Sequence, residues 1–381
     1  MKGLFPQYDH SNNVDFSETW RSALFVFDTN VLLNLYRYQE STREELLNVI
    51  EKLSDRIWLP HHVALEFQRN RLTVIAGQSK RFTDIRRVIE NAKANLSKEI
   101  QNLQLKQRHA LINPEPLMSG FEDLTKNFLE ELEYLQEAQQ TLTAPDPLKL
   151  RIETLFDEKV GASFQNQQEI DNTNKEAEDR YKIKIPPGYK DENKDKNGQD
   201  EFSHNGLIYK RKYGDYIVWT QLLAKACTYE TKKLIFITDD AKEDWWSQIE
   251  LDGTKTIGPR VELIEEAFRI GKLDTFLMYK PEAFLSFAKE FLEAKISDET
   301  LEEVRDVSSA NKKRGGIAFN SSHPLSEIYY AIASWILDTH TFLEESSGGY
   351  PDFVATSEGC DHAYDVRIVR SIIPATFLNS V

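Results

Sequence analysis

Leu24-Phe25-Val26-Phe27-Asp28-Thr29-Asn30 is a run of apolar β-formers that stops on an acid, and Leu234-Ile235-Phe236-Ile237-Thr238-Asp239-Asp240 repeats that form much further along the chain. A third stretch, Gly214-Asp215-Tyr216-Ile217-Val218-Trp219, puts an acid at the start of a helical pattern. An apolar strand that ends on a carboxylate delivers it to the carboxyl edge of a sheet, where open α/β folds bind their ligands. Acids gathered at one edge repel each other unless a divalent cation neutralises them. The pattern therefore points to a magnesium or manganese site and to metal-assisted hydrolysis of a phosphodiester.

Working outward, residues 23–28 read as a buried strand. Ser41-Thr42-Arg43-Glu44 has the form of a capping box, opening a helix with Leu46, Leu47, Val49, Ile50 and Leu53 on its apolar face. Ile57-Trp58-Leu59-Pro60 reads as a short second strand, followed by a helix holding Val63, Leu65, Glu66 and Phe67. This β-α-β-α alternation predicts an α/β fold with a mainly parallel sheet covered by helices. From Phe82 the apolar positions Ile85, Ile89, Ala92, Leu96, Ile100 and Leu103 follow in steps of three and four, one stripe of a long helix. After the break at Asn113-Pro114-Glu115-Pro116, Phe121, Leu124, Phe128, Leu132 and Leu135 mark a partner helix, so a helical hairpin whose stripes pack on each other is expected.

Residues 161–205 are polar and read as a surface loop, mobile without ligand. The α/β pattern resumes at Gly214 with a helix through Ile217, Leu222, Leu223 and Ala226, then a strand at 233–238 and a last strand at 260–263. A main domain over 1–280, with an insertion over about 80–210, and an accessory α+β domain over 281–381 follow from this reading. In the latter, 281–307 reads as helical, Ser308–Gly316 as a linker and 325–343 as a helix, with short strands at Phe353-Val354-Ala355 and Tyr364–Val369.

With 381 residues, 40% of them apolar and 11% aromatic, the chain can bury a large core. The start, Met1-Lys2-Gly3-Leu4-Phe5, lacks a secretory pattern, and no apolar run is long enough to span a bilayer, so a cytoplasmic protein is expected. Cys227 and Cys360 are the only cysteines, which excludes a disulfide framework and a multi-cysteine zinc site. The net charge of −15 argues against indiscriminate coating of nucleic acid but not against a nuclease, whose carboxylates are neutralised by metal. Local basic groups remain for a phosphate backbone: Arg69 with Arg71, Lys80-Arg81 with Arg86-Arg87, and Lys210-Arg211-Lys212. Any one of these also has the plain reading of a solvated face.

Asp28, Glu66, Asp215 and Asp240 come from separate segments, each placed where a β-α unit brings it to the same sheet end. Asn30 and Thr238 are short polar side chains that can orient a carboxylate or a metal-bound water. On these residues the chain resembles the PIN domain superfamily of metal-dependent nucleases, and within it the PIN-like group with a long insertion. The signatures are Phe27-Asp28-Thr29-Asn30, Leu65-Glu66-Phe67, Ile185-Pro186-Pro187-Gly188-Tyr189, Gly214-Asp215, and Thr238-Asp239-Asp240 with Asp244-Trp245-Trp246, across roughly residues 20–270.

The resemblance implies a compact α/β/α sandwich in which acids hold one or two Mg2+ or Mn2+ ions that activate water against RNA or DNA. Asp28 would be the central ligand, Glu66 and Asp215 its partners and Asp240 the fourth acid. The family pattern of threonine, any residue, then an acid selects Asp240 over Asp239. Asp239 and Asp244 are reserve members of the metal site, and Arg69, Lys210, Arg211 and Lys212 are candidate substrate contacts. His61 and His62 could touch the scissile phosphate, although histidines beside a strand end usually have no role. Trp245 and Trp246 read as core anchors rather than base-stacking groups.

Two other classes remain. Phosphotransferases with an aspartyl nucleophile also place Asp after an apolar strand, but they use a second Asp two positions on, where this chain has Asn30. A non-catalytic module that keeps the nuclease fold and binds nucleic acid or protein is the other, with the insertion and the C-terminal domain as surfaces for a partner or a second copy. Tyr350-Pro351-Asp352 with Asp365-Val366-Arg367 is a poor match to a restriction-type nuclease core.

Overall fold

The computed structural model describes residues 4–8, 14–105, 111–137, 144–192, 200–250, 254–315, 342–345, 353–357 and 360–364. Its centre is a four-stranded sheet in the order β2-β1-β5-β8, with β1 at Leu24–Phe27, β2 at Ile57–Trp58, β5 at Lys233–Ile237 and β8 at Thr275–Tyr279. All pairs are parallel, Phe27 lying opposite Ile237 and Ile237 opposite Tyr279. Such strands are covered on both faces, which is why they read as continuous apolar runs.

Side chains alternate across the sheet. Phe25 and Phe27 meet Phe284, while Trp20 stacks on Tyr279 and Phe284 and meets Phe25 edge-on. On the opposite face Phe236 meets Trp245, and Phe276 meets Trp219. One cover therefore includes the helices Phe16–Ser22 and Pro281–Phe291, and the other the helix Gly214–Thr228. This is the α/β/α layering expected.

Several sequence expectations change. The segment at 260–263 is not a strand: Val261–Arg269 is a helix burying Leu263, Ile264 and Ala267, and β8 is the last strand of the sheet. Residues 161–205 are not one loop. They contain the helix Gln167–Lys182, which buries Ile170, Asn174, Ala177 and Tyr181, and the strand β3 (Glu201–His204), which pairs antiparallel with β4 (Leu207–Lys210). A second antiparallel pair, β6 (Trp246–Glu250) with β7 (Thr254–Pro259), follows the acids after β5. The helix at 40–52 starts at Glu40, with Gln39 and not Ser41 at its cap, so the capping box does not form.

The helical hairpin is present. His61–Asn102 is one continuous helix of 42 residues, and Glu115–Glu137 packs against it, with Lys93 and Glu122 paired at 2.6 Å. The second helix buries Thr125 and Leu132 and leaves Leu124, Phe128 and Leu135 exposed, so its seam is rotated from the stripe read in sequence.

The chain divides into two compact units, Met1–Ala310 and Asn311–Val381. The helix Pro281–Phe291 sends Phe284, Leu285 and Ala288 into the main core, so the expected boundary at 280 falls inside the first unit. The expected linker from Ser308 is helical through Gly315. The second unit contains the antiparallel sheet β11-β10-β9, formed by Cys360–Tyr364, Phe353–Ser357 and Phe342–Glu345. Residues 325–341, Tyr350-Pro351-Asp352 and Asp365-Val366-Arg367 lie outside the described residues. Among the described residues no helix is long and apolar enough to cross a membrane.

Candidate active site

The chain leaves β1 toward β2 on one side and returns to β5 on the other, so the carboxyl ends of β1 and β5 flank a topological switch point. Asp28 follows β1 there, its backbone N–H donating to Ile237 O at 2.9 Å. Its carboxylate is fixed by donors from both strand ends. Thr29 N donates to Oδ1 at 2.7 Å, while Asn30 Nδ2 and Thr238 Oγ1 each donate to Oδ2 at 2.7 Å. Thr238 Oγ1 in turn accepts from Asp240 N at 3.0 Å, tying the acid after β5 to the acid after β1.

Beyond the end of β5 the two acids after Thr238 take different partners. Asp239 turns to the other side, where Asn34 Nδ2 donates to its Oδ2 at 2.7 Å and Asn30 Oδ1 accepts from its backbone N–H. Asp239 thus contacts Asn34 and Asn30, whereas Asp240 is tied to Thr238 beside Asp28.

Glu66 reaches the same place from the long helix. It accepts from Thr29 Oγ1 at 2.9 Å, so Thr29 binds both acids, Asp28 through its backbone N–H and Glu66 through its hydroxyl. Gly214 lets the helix Gly214–Thr228 approach this point: a Cβ there would sit 3.2 Å from Glu66 Oε1 and 3.3 Å from His62 Nε2. Asp215, in the first turn of that helix, is the third acid brought in.

Lys242 lies among Asp240, Asp191 and Asp215, and sequence reading missed it. Its Nζ lies 2.9 Å from Asp240 Oδ2, 3.0 Å from Asp191 Oδ1 and 3.4 Å from Asp215 Oδ2, and its backbone N–H donates to Asp240 Oδ1 at 2.7 Å. Asp191 was missed as well, because its segment read as loop. It is positioned by the Ile185–Tyr189 segment, whose Gly188 has φ +93 and leaves no room for a Cβ between Tyr181 Oη and Asp215. Asp244 holds that segment down, its buried Oδ2 accepting from Gly188 N at 3.1 Å and Lys190 N at 3.0 Å.

The electrostatics follow from burial among like charges. Burial, with the charges of Asp215, Glu66 and Asp240, pushes the Asp28 carboxyl up to about 7 against the opposing hydrogen bond from Thr238. Burial and Asp215 push Asp244 up to about 6. Burial acts to neutralise Lys242, but Asp215, Asp240 and Asp191 outweigh it and hold the ammonium firmly charged. His62, buried with both ring nitrogens lacking a hydrogen-bond partner, is held neutral chiefly by burial, although its Nε2 is 3.7 Å from Glu66 Oε1.

The candidate substrate contacts are partly used within the fold. The Arg69 guanidinium lies 3.8 Å over the Phe202 ring, with Arg211 on the same ring at 5.9 Å, so these two form one cationic edge on the β3–β4 hairpin near Glu66. Lys210 pairs with Glu201 at 3.7 Å, and the Lys212 ammonium lies 5.1 Å over the Tyr213 ring. His61 sits beside His204. Trp245 and Trp246 are buried anchors; Trp245 Nε1 lies 3.4 Å from Asp215 Oδ2 and Trp246 Nε1 donates to Asp240 O at 2.6 Å.

Among the described residues no three His, Cys, Asp or Glu side chains stand close enough to chelate an ion together. The donor set still suits a hard cation. Magnesium keeps several waters and is commonly held by one or two carboxylates directly, an arrangement that the fixed carboxylates of Asp28 and Glu66 would suit.

A family model described as PIN like domain matches residues 24–263, more than half of the chain. That span runs from β1 through the first residues of the helix Val261–Arg269 and includes every acid of the cluster. No curated protein and no solved structure matches.

Proposed function

The chain belongs to the PIN-like domain family, and from that premise we propose that it is a divalent-metal-dependent nuclease acting on RNA or DNA. One observation carries the proposal: at the switch point between β1 and β5, Asp28 is clamped by Thr29, Asn30 and Thr238 and feels the charges of Glu66, Asp215 and Asp240. Mg2+ or Mn2+, once bound, supplies Lewis acidity toward a phosphoryl oxygen and a more acidic water.

Asp28, Glu66, Asp215 and Asp240 would hold the ion, some of them through water. Thr29 positions Glu66, and Thr238 with Asn30 positions Asp28, so the ligands need little reorganisation when the cation arrives. Arg69 and Arg211 on Phe202 would take the phosphate backbone leading to Glu66.

Labelled single-stranded RNA and DNA incubated with Mn2+ or Mg2+ test the reading. Cleavage is expected with wild-type protein and is expected to be lost in the Asp28→Asn, Asp240→Asn double variant. Cleavage that survives in that variant rules the reading out.

A second reading has its own observation. The Lys242 ammonium already neutralises part of the acid cluster, as suits a non-catalytic module that keeps the fold without a metal. Calorimetry with Mn2+ separates the two, since such a module binds no ion at these residues.

A further inference from the structure

We propose that the Lys242 ammonium is the site's resident second cation, so that the centre takes up one divalent ion and not two. The proposal rests on the nuclease reading and deepens it by fixing the metal count. Two-metal centres place their ions about 3.5–4 Å apart with carboxylates shared between them. Here one half of such an arrangement is already filled by protein. Lys242 Nζ stands 2.9 Å from Asp240, 3.0 Å from Asp191 and 3.4 Å from Asp215, three carboxylates from three separate segments.

The ammonium is held by its own chain. The Lys242 backbone N–H donates to the other Asp240 oxygen at 2.7 Å, closing the turn that carries the side chain inward. Asp191 is itself buried, on a segment pinned by Asp244 through Gly188 N and Lys190 N. This is a built seat for a cation.

The other half has a different character. Among the described residues Asp28 accepts from neutral donors alone, Thr29, Asn30 and Thr238. Glu66 accepts from the Thr29 hydroxyl and faces a neutral His62. Neither acid has a lysine or arginine in ion-pair contact among the described residues. A divalent ion therefore finds unneutralised carboxylates on the Asp28–Glu66 side, while a second one would have to displace Lys242 or stand beside its positive charge. Lys242 on this account positions and neutralises acids, and it need not touch the substrate.

Isothermal titration of the full chain with Mn2+, with circular-dichroism melts to confirm folding, tests the count. Wild type is expected to bind one Mn2+ per chain, Lys242→Met two, and Lys242→Arg one, with affinity within about threefold of wild type because the charge is restored. Should Lys242→Met not fold, Lys242→Gln, which keeps a donor for Asp240 without the charge, takes its place. Two ions in wild type, or one ion in the uncharged variant, overturns the proposal alone. No Mn2+ binding by any of these proteins overturns the nuclease reading, and the proposal with it.

Discussion

Thr238 joins the two strand ends through one hydroxyl, which donates to Asp28 and accepts from the backbone N–H of Asp240. Thr238→Val keeps the shape and removes both bonds, together with the one the hydroxyl accepts from Asn30 Nδ2 at 3.2 Å. We expect it to lower Mn2+-dependent cleavage by about 10- to 100-fold, the usual cost of a residue that orients a ligand, with a stability loss of only ~1 kcal/mol. Kinetics and a urea melt on the same preparation check both numbers. The adjacent acids separate in the same way. Asp240→Asn should abolish cleavage, whereas Asp239→Asn, whose carboxylate accepts from Asn34, should leave cleavage within a few-fold and destabilise the fold by ~1–3 kcal/mol. Asp28 also gives a pH signature in metal-free protein. Its folded carboxyl is raised to about 7, so from roughly pH 4 to 7 the folded state holds more protons and stability falls as pH rises. Asp28→Asn removes that loss. In EDTA its Tm relative to wild type should rise by about 4–8 °C between pH 5 and pH 8, for ~2–3 kcal/mol relieved; an unchanged difference would contradict the assigned environment.

At the level of elements, the two apolar runs that end on acids specified β1 and β5, because fully buried parallel strands leave an unbroken apolar signature. The preference for Asp240 over Asp239 came from the resemblance, through its threonine-x-acid pattern, and not from the strand. The helix Gln167–Lys182 was not legible: its buried face is Ile170, Asn174, Ala177 and Tyr181, only one of which is aliphatic and large, and the charges around it read as loop. Asp191 was lost with that segment. Lys242 was lost for another reason, since a lysine two residues after an acid ordinarily points to water, and here it is turned onto Asp191, Asp215 and Asp240, which come from three segments distant in sequence. The last strand was misplaced because Val261, Leu263 and Ile264 look β-like in isolation, while Thr275–Tyr279 completes the sheet. Asp244 links these elements by accepting from Gly188 and Lys190. Asp244→Ala should free the segment and speed trypsin cleavage at Lys184 or Lys190 by at least about tenfold, whereas Asp244→Asn retains an acceptor and should fall between. Equal cleavage rates in all three proteins would show that Asp244 does not hold it.

Across the whole molecule, the main unit is organised around one aromatic cluster. Trp20 touches Phe25, Tyr279, Phe284, Phe287 and Phe291, joining the first helix, two strands of the sheet and the helix after residue 280. Trp20→Ala should cost about 3–5 kcal/mol, as deletion of a buried tryptophan does, and should do so in a single cooperative transition that a guanidinium melt can follow. The net charge of −15 sets the background against which the site works: overall repulsion of nucleic acid, with the cationic edge of Arg69 and Arg211 on Phe202 near Glu66. All of it converges on the edge between β1 and β5. Crystals of the full chain soaked in Mn2+ and measured for anomalous scattering examine that edge directly. A peak within about 3 Å of Asp28 or Glu66 carboxylate oxygens, with Asp215 and Asp240 around it, is the predicted result, and a map with no peak at these acids would contradict the account.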